Sequence, residues 1–513
     1  MYESSTRDQG IGRWFARRAE FSPDRTALVF GDRSWTYAAF QRHIDALAAA
    51  LAEGGVRRGD RVGHLGLNHP DYLLTLYAAA RLGAIFVPLN HRLTGPELRF
   101  LIQDAGIHTL VHAAAFDGVL AGIRDDLPCR RYLRAPGDEH GELVTEAAGA
   151  TGAEPEHHVG AEDVALIMYT SGTSGRPKGA MITHANLLAS IHGLGLAFET
   201  RADDRTLVVA PLFHIGGLNV TTLSALLAGA TAVLEHSFDA GRVLRLIGER
   251  EITTMFAVPT MLVEMARHPS FAAARLGSLR LVVSGGAPVP AALQARYLER
   301  GVRVCAGYGM TEATPLITIT PPERAADKAG TVGLPSFFSE VRLVGADGRD
   351  AAPGEPGEFL VRGPNVMKGY WNRPEATAET LAGGWLHTGD IGVRDEDGFY
   401  RVVGRVKDMI ITGGENVYPA EVEAVLAELP DVADAAVFGV PDDTWGERVV
   451  AVVRPADGRE PSREEILAAL GARLARYKLP RRIEFTPDIP RSPSGKVVKS
   501  ELRDRYASPR STS

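Results

Sequence analysis

The sequence predicts a large multi-layer α/β N-terminal domain, made of α/β subdomains plus a small β-rich subdomain, and then a small α+β C-terminal domain. Three observations carry this expectation. Helical and strand-like segments alternate through the first 140 residues, and short apolar strands run into glycine-rich turns between 164 and 309. From about residue 331 the texture changes to shorter strands and turns, and a separate α+β pattern fills the last hundred or so residues. At 513 residues the chain exceeds what one ordinary core can organise.

Taken in order, Thr36 can cap a helix in which Phe40, Ile44, Leu47 and Leu51 recur on one face. VGHLGL (62–67) and AIFVPLN (84–90) are strands flanking the helical run 71–82. The small, acidic stretch 147–163 is a surface connector, and VALIMYT (164–170) is an almost wholly apolar strand. TLVVA (206–210), TAVLE (231–235), TTMFAVP (253–259), LRLVVSGG (279–286) and VRVCAGYG (302–309) follow, most of them separated by helical segments. Strands ending in glycine turns are where α/β proteins place ligands. EVRLVGADGRDAAPGEPGEFLVRG (340–363) supplies the β-rich part. A boundary near Arg405 divides the chain into domains 1–404 and 405–513. In the second, PAEVEAVLAEL (419–429) starts a helix with proline, ERVVAVVRP (447–455) is a strand and SREEILAALGARLARY (462–477) a capped helix.

Composition narrows the function. With 45% apolar and 23% charged residues the chain is a soluble globular protein, and a net charge of −7 gives no reason to expect a nucleic-acid partner. Cys129 and Cys305 make neither a disulfide framework nor a metal cluster. The N-terminus has no apolar run fit for a signal peptide, and no stretch is long enough for an integral membrane segment, so the default location is cytoplasmic.

YTSGTSGRPKG (169–179) begins as the strand 164–170 ends. Its small residues let backbone N–H groups converge on an anion, its hydroxyls add donors, and Lys178 brings a mobile charge towards β- and γ-phosphates. It is not a P-loop, because Pro177 and Gly179 flank the lysine where that motif has glycine and a hydroxyl. Taken alone, the run also reads as an ordinary surface loop.

YTSGTSGRPKG resembles the signature of the adenylate-forming, AMP-binding superfamily, and five further blocks resemble its other motifs in order over nearly the whole chain. The resemblance implies two half-reactions: ATP and a carboxylate give an acyl-adenylate and pyrophosphate, and a thiol, usually that of CoA, then displaces AMP. The implied cofactors are ATP, Mg²⁺ and CoA. Thr170, Ser171, Gly172, Thr173, Ser174 and Gly175 are then the phosphate cradle. In GYGMTEATP (307–315) the resemblance gives Glu312 to Mg²⁺, which prefers carboxylate and phosphate oxygens, Thr311 to a phosphate and Tyr308 to the adenine. Gly286, Ala287 and Pro288 of SGGAP pass along the adenine. Asp390, in GGWLHTGDIG, and Arg405 go to the ribose, since a carboxylate can accept from both hydroxyls.

By the same resemblance Lys407 is the hinge of a mobile C-terminal domain, and Gly413 and Gly414 line the passage for pantetheine. Lys496, in PRSPSGK, reaches the acyl carboxylate and α-phosphate during adenylation. Lys496 must be inside the nucleotide site for the first step and Gly414 must face the thiol path for the second, which implies rotation about Lys407.

His214, in VVAPLFHIGGLNV (208–220), resembles the gate between acyl pocket and thiol path. Gly216 occupies the place where the similar plant hydroxycinnamate ligases carry tyrosine, so open volume is expected there. Gly309 is a small residue at the far wall, with Val258, Met310 and Leu316 as apolar lining. The expected partner is a hydrophobic carboxylic acid, with a medium- or long-chain fatty acid favoured. A bulky aryl or polycyclic acid is the alternative, as is acyl transfer to a separate carrier protein. Dimers are frequent in such families, which leaves a homodimer as the prior for assembly. A nucleotide-binding homologue without catalysis is the remaining rival, opposed by the joint presence of Lys178, Glu312, Asp390, Arg405 and Lys496.

Overall fold

Thr36 opens the first long helix as its spacing predicts: its hydroxyl accepts from Ala39 N at 3.1 Å, and Phe40, Ile44, Leu47 and Leu51 are buried along helix Tyr37–Glu53. The computed structural model describes residues 8–137, 143–144, 158–170, 177–412, 415–442, 445–491 and 497–506. The chain divides into two units, Met1–Val341 with Val361–Leu386, and Arg342–Leu360 with His387–Ser513. The expected boundary at Arg405 falls inside the second unit, at the end of strand Tyr400–Arg405.

The first unit is built on two sheets. A nine-stranded sheet runs in the order 334–335, 316–319, 303–309, 281–284, 254–257, 205–208, 231–234, 26–30, 33–36. A seven-stranded sheet runs 369–370, 178–183, 164–170, 85–89, 61–65, 109–113, 131–135. The inner strands Arg61–Leu65, Ile85–Leu89 and Thr109–Ala113 pair in parallel and are almost continuously buried, as strands covered on both faces are. Helix Pro70–Arg81 is buried along its whole length, as a helix apolar on nearly every side demands. Its one early acid, Asp71, accepts from Val144 N at Oδ1, 2.9 Å, and its Oδ2 lies 3.1 Å from His69 Nδ1.

The second unit holds a four-stranded sheet ordered 340–344, 357–362, 386–394, 400–405 and a five-stranded α+β portion. In that portion Val432–Asp442 and Gly446–Pro455 form a long antiparallel pair, and Arg482–Phe485 adds in parallel. Helix Pro419–Ala427 begins at the proline as expected. The helix expected over 462–477 starts with a Ser462–Glu465 capping box but ends at Gly471, and a separate 3₁₀ turn covers Arg476–Lys478. Glycine has low helix propensity, and the chain bends there to bring Leu474 and Leu479 against the core.

Candidate active site

Strands Val164–Thr170 and Lys178–Thr183 pair antiparallel, with Thr170 opposite Lys178 and Tyr169 opposite Gly179. Both ends of the glycine-rich loop are thereby held side by side; Ser171, Gly172, Thr173, Ser174 and Gly175 themselves lie outside the described residues. Glu312 follows strand Arg303–Gly309 in a short 3₁₀ turn and is buried. Thr170 Oγ1 lies 3.3 Å from Glu312 Oε1 and 3.5 Å from Lys178 O, so its single proton goes to the carboxylate. A second donor was not expected from the sequence: Tyr370 Oη donates to the same Oε1 at 2.8 Å. The Tyr370 ring also lies under Lys178 Nζ, 5.0 Å from its centroid. Burial first, then the Glu312 charge and hydrogen bond, hold the Tyr370 phenol well above its ordinary pKa, so it stays a donor.

Four parallel neighbours, Arg205–Val208, Thr254–Ala257, Leu281–Ser284 and Arg303–Gly309, point the same way. The segments leaving their C-terminal ends therefore emerge along one sheet edge. They carry His214, Val258, the exposed Gly286, Ala287 and Pro288, and Thr311 with Glu312, while Tyr308 is buried near the end of its strand.

His214 is half-buried. The backbone before it is clamped from helix Pro70–Arg81 and its approach: Asn68 donates to Ala210 O at 3.0 Å and accepts from Leu212 N at 2.9 Å, and Tyr72 Oη donates to Leu212 O at 2.7 Å. After it the chain enters a π-helical stretch, Gly216–Leu223. The expectation of open volume at Gly216 needs correction. A Cβ built there would lie 2.8 Å from Phe256 Cζ, so the phenylalanine ring already fills that place. Gly309 is likewise no simple widening of the wall, since a Cβ there would strike the Pro315 carbonyl; close backbone approach requires the glycine. Leu316 is buried with Phe256, and Val258 packs against them.

In the second unit Asp390 and Arg405 face each other across paired strands, with Arg405 Nε 2.7 Å from Asp390 Oδ1. Asp390 is buried, and Thr388 Oγ1 accepts from its backbone N–H at 3.1 Å. Lys407 is exposed in the 3₁₀ turn that follows. Gly413, Gly414 and Lys496 lie outside the described residues.

Among the described residues no group of three His, Cys, Asp or Glu side chains could hold a metal ion, and no helix is long and apolar enough to cross a membrane. A buried carboxylate with both hydroxyl donors on one oxygen still suits Mg²⁺, which takes one or two carboxylates and completes its shell with water and phosphate. Tyr370, Asn68 and Phe256 are the residues that sequence reading missed. The one available signal was GYWNRP (369–374), where a tyrosine whose phenol becomes buried needs a partner.

Comparison with known proteins identifies the family. The family model described as AMP-binding enzyme matches residues 15–371, and that of the AMP-binding enzyme C-terminal domain matches 421–496. Feruloyl-CoA synthases of an Amycolatopsis and a Streptomyces species are 49% identical over 98% of this chain and 100% of theirs. An indoleacetate–CoA ligase of Aromatoleum aromaticum is 42% identical over 97% of this chain and 98% of its own. A long-chain-fatty-acid–CoA ligase of Mycobacterium tuberculosis is 38% identical over 97% and 99%. Among solved structures, the anthranilate CoA ligase AuaEII with anthranoyl-AMP superposes with a TM-score of 0.89 at 29% identity, covering 97% of both chains. The o-succinylbenzoate CoA synthetase of Bacillus subtilis with ATP and magnesium gives 0.86 at 34%, covering 96% of this chain and 99% of that one.

Proposed function

This chain belongs to the AMP-binding enzymes, in the acyl-CoA synthetase branch, and is an ATP-dependent, AMP-forming CoA ligase; from that premise we propose that its acid is an aryl carboxylic acid rather than a fatty acid. The observation that carries this choice is the ring of Phe256, which takes the place that an acyl tail was expected to use beside Gly216. A flat aromatic edge favours a planar partner stacked or edge-on against it. The names of the feruloyl and indoleacetate relatives support the same class, and they resemble this chain more than the fatty-acid relative does.

In the proposed reaction a carboxylate oxygen attacks the α-phosphorus of ATP and the bond to pyrophosphate breaks. The CoA thiol then attacks the carbonyl carbon of the acyl-adenylate, and the bond to AMP breaks. The loop from Thr170 to Gly175 cradles the phosphates, and Lys178 and Thr311 add a cation and a donor to them. Glu312 would hold Mg²⁺, which when bound offsets charge on the triphosphate. Gly286, Ala287, Pro288 and Tyr308 flank the adenine, and Asp390 with Arg405 takes the ribose. Lys496 brings positive charge to the reacting oxygens in the first step. His214 separates acid from thiol path, Gly413 and Gly414 leave that path wide, and Lys407 is the hinge.

The test is a panel of acids with ATP, Mg²⁺ and CoA, read by mass spectrometry for acyl-adenylate and thioester. Ferulate-like and indoleacetate-like acids should exceed dodecanoate in kcat/KM by at least tenfold. Dodecanoate turning over faster would return the assignment to fatty acids.

A further inference from the structure

The short segment 367–373 touches both charged residues of the phosphate side, and its contacts have one geometric effect. Met367 N donates to Glu312 O at 2.9 Å, while Tyr370 Oη donates to the same residue's Oε1 at 2.8 Å. The segment is then stitched to the strand that begins with Lys178. Lys368 N donates to Met181 O at 2.9 Å, Trp371 N donates to Gly179 O at 2.8 Å, and Gly369–Tyr370 pairs with Met181 and Ala180. The Tyr370 ring supports Lys178 Nζ from below at 5.0 Å.

The clip is itself anchored from outside. Arg373 Nη2 donates to Asp104 Oδ1 at 2.5 Å, Trp371 Nε1 donates to Asp104 O at 3.2 Å, and Tyr169 Oη donates to Asp104 Oδ2 at 2.7 Å. Tyr370 N donates to Thr377 Oγ1 at 2.9 Å, which fixes the backbone from the following helix. Tyr370 is thus held by its main chain at the place where its hydroxyl meets the carboxylate.

We propose that Tyr370 is a positioning residue that sets the distance and orientation between Glu312 and Lys178, and that its hydroxyl selects which carboxylate oxygen is presented to a divalent cation. Among the described residues both hydrogen bonds to this carboxylate end on Oε1, so Oε2 is the oxygen that would face a bound cation. The hydroxyl also replaces part of the water that a buried carboxylate loses. The proposal rests on Glu312 being the magnesium carboxylate, as assigned above.

The experiment uses the full chain and the variants Tyr370→Phe, Glu312→Gln and the double variant. ATP binding is measured by calorimetry in EDTA and across a Mg²⁺ titration, and thermal melting reports the fold. Tyr370→Phe keeps the ring and should leave ATP affinity in EDTA within about twofold. It should raise the Mg²⁺ concentration for half-maximal tightening about tenfold, the scale of one hydrogen bond to a charge. Glu312→Gln should abolish the Mg²⁺ response, and adding Tyr370→Phe to it should change nothing further. Equal losses of ATP affinity with and without Mg²⁺ in Tyr370→Phe would overturn the positioning role alone. A Mg²⁺ response surviving in Glu312→Gln would overturn the carboxylate assignment and the proposal with it. If Tyr370→Phe lowers the melting midpoint, Thr170→Val removes the second donor to Oε1 and should shift the same Mg²⁺ midpoint; no shift would count against the proposal.

Discussion

Arg405 Nε reaches Asp390 Oδ1 at 2.7 Å across paired strands, so the two residues expected at the ribose first hold one another. Arg405 is partly exposed, whereas Asp390 is buried. The effect of the pair is to aim a buried carboxylate. Arg405→Gln should therefore raise KM for ATP about tenfold, on the scale of a charged hydrogen bond, and also lower the melting midpoint, because a buried carboxylate loses its guanidinium. Asp390→Asn should cost more, because it removes acceptor capacity as well as charge. Steady-state kinetics with varied ATP checks both, and an unchanged KM in both variants would remove them from the ribose site.

Lys496→Ala should abolish adenylation yet still convert a supplied acyl-adenylate to thioester at an appreciable rate. Gly414→Leu should do the opposite by narrowing the thiol path. Measuring the half-reactions separately decides the matter, and equal losses in both would sink the division of labour.

Asn68 satisfies Ala210 O and Leu212 N at once and is itself buried. Asn68→Ala leaves both main-chain groups without that partner, a loss of about 2–4 kcal/mol. Because the clamped segment leads into His214, the variant should also leak: free acyl-adenylate released per thioester formed should rise severalfold. A drop in melting midpoint with no change in that ratio would make Asn68 purely structural.

Phe256→Ala should enlarge the acid site beside Gly216 and shift the kcat/KM ratio of dodecanoate to a ferulate-like acid upward by at least tenfold. Gly216→Ala should clash with the ring and lose activity, and the double variant Gly216→Ala, Phe256→Ala should recover part of it. Additive losses would show that the two positions do not share a space.

Burial, reinforced by His69 and His112, holds His64 down to about 3, and burial holds His184 down to about 4 against the pull of Asp163. Both are neutral in the folded chain where an unfolded chain would take up protons below its ordinary value of about 6.5. The unfolded state then binds more protons, so stability falls as pH drops from about 6.5 towards 4, by about 1.4 kcal/mol per pH unit for each group. Denaturation midpoints between pH 7.5 and 5 should show that slope, and His64→Gln should reduce it. An unchanged slope in the variant would remove His64 as its source.

What was legible in the sequence was whatever is contiguous. The strand 164–170 running into TSGTSG, the glycine turn before Thr311 and Glu312, and the cap at Thr36 each state their chemistry within a dozen residues. Tyr370 escaped because its partner lies 58 positions away and is reached only through a two-residue strand. Phe256 escapes for the same reason: the sequence displays the missing side chain at Gly216 but not the ring that arrives from strand Thr254–Ala257. The helix expected over 462–477 is shorter than its periodicity implies, because apolar residues continue past Gly471, where tertiary packing and not periodicity decides the end.

The backbone passes from one unit to the other three times, after Val341, Leu360 and Leu386. Trimming the gene at a single point therefore finds no clean joint. A stop after Leu386 would leave strands 340–344 and 357–362 without the two that complete their sheet, and one placed ahead of Arg405 would strip Asp390 of its counter-ion. Swapping the smaller unit between relatives would have to exchange two separated stretches in concert, and natural recombination would meet the same obstacle.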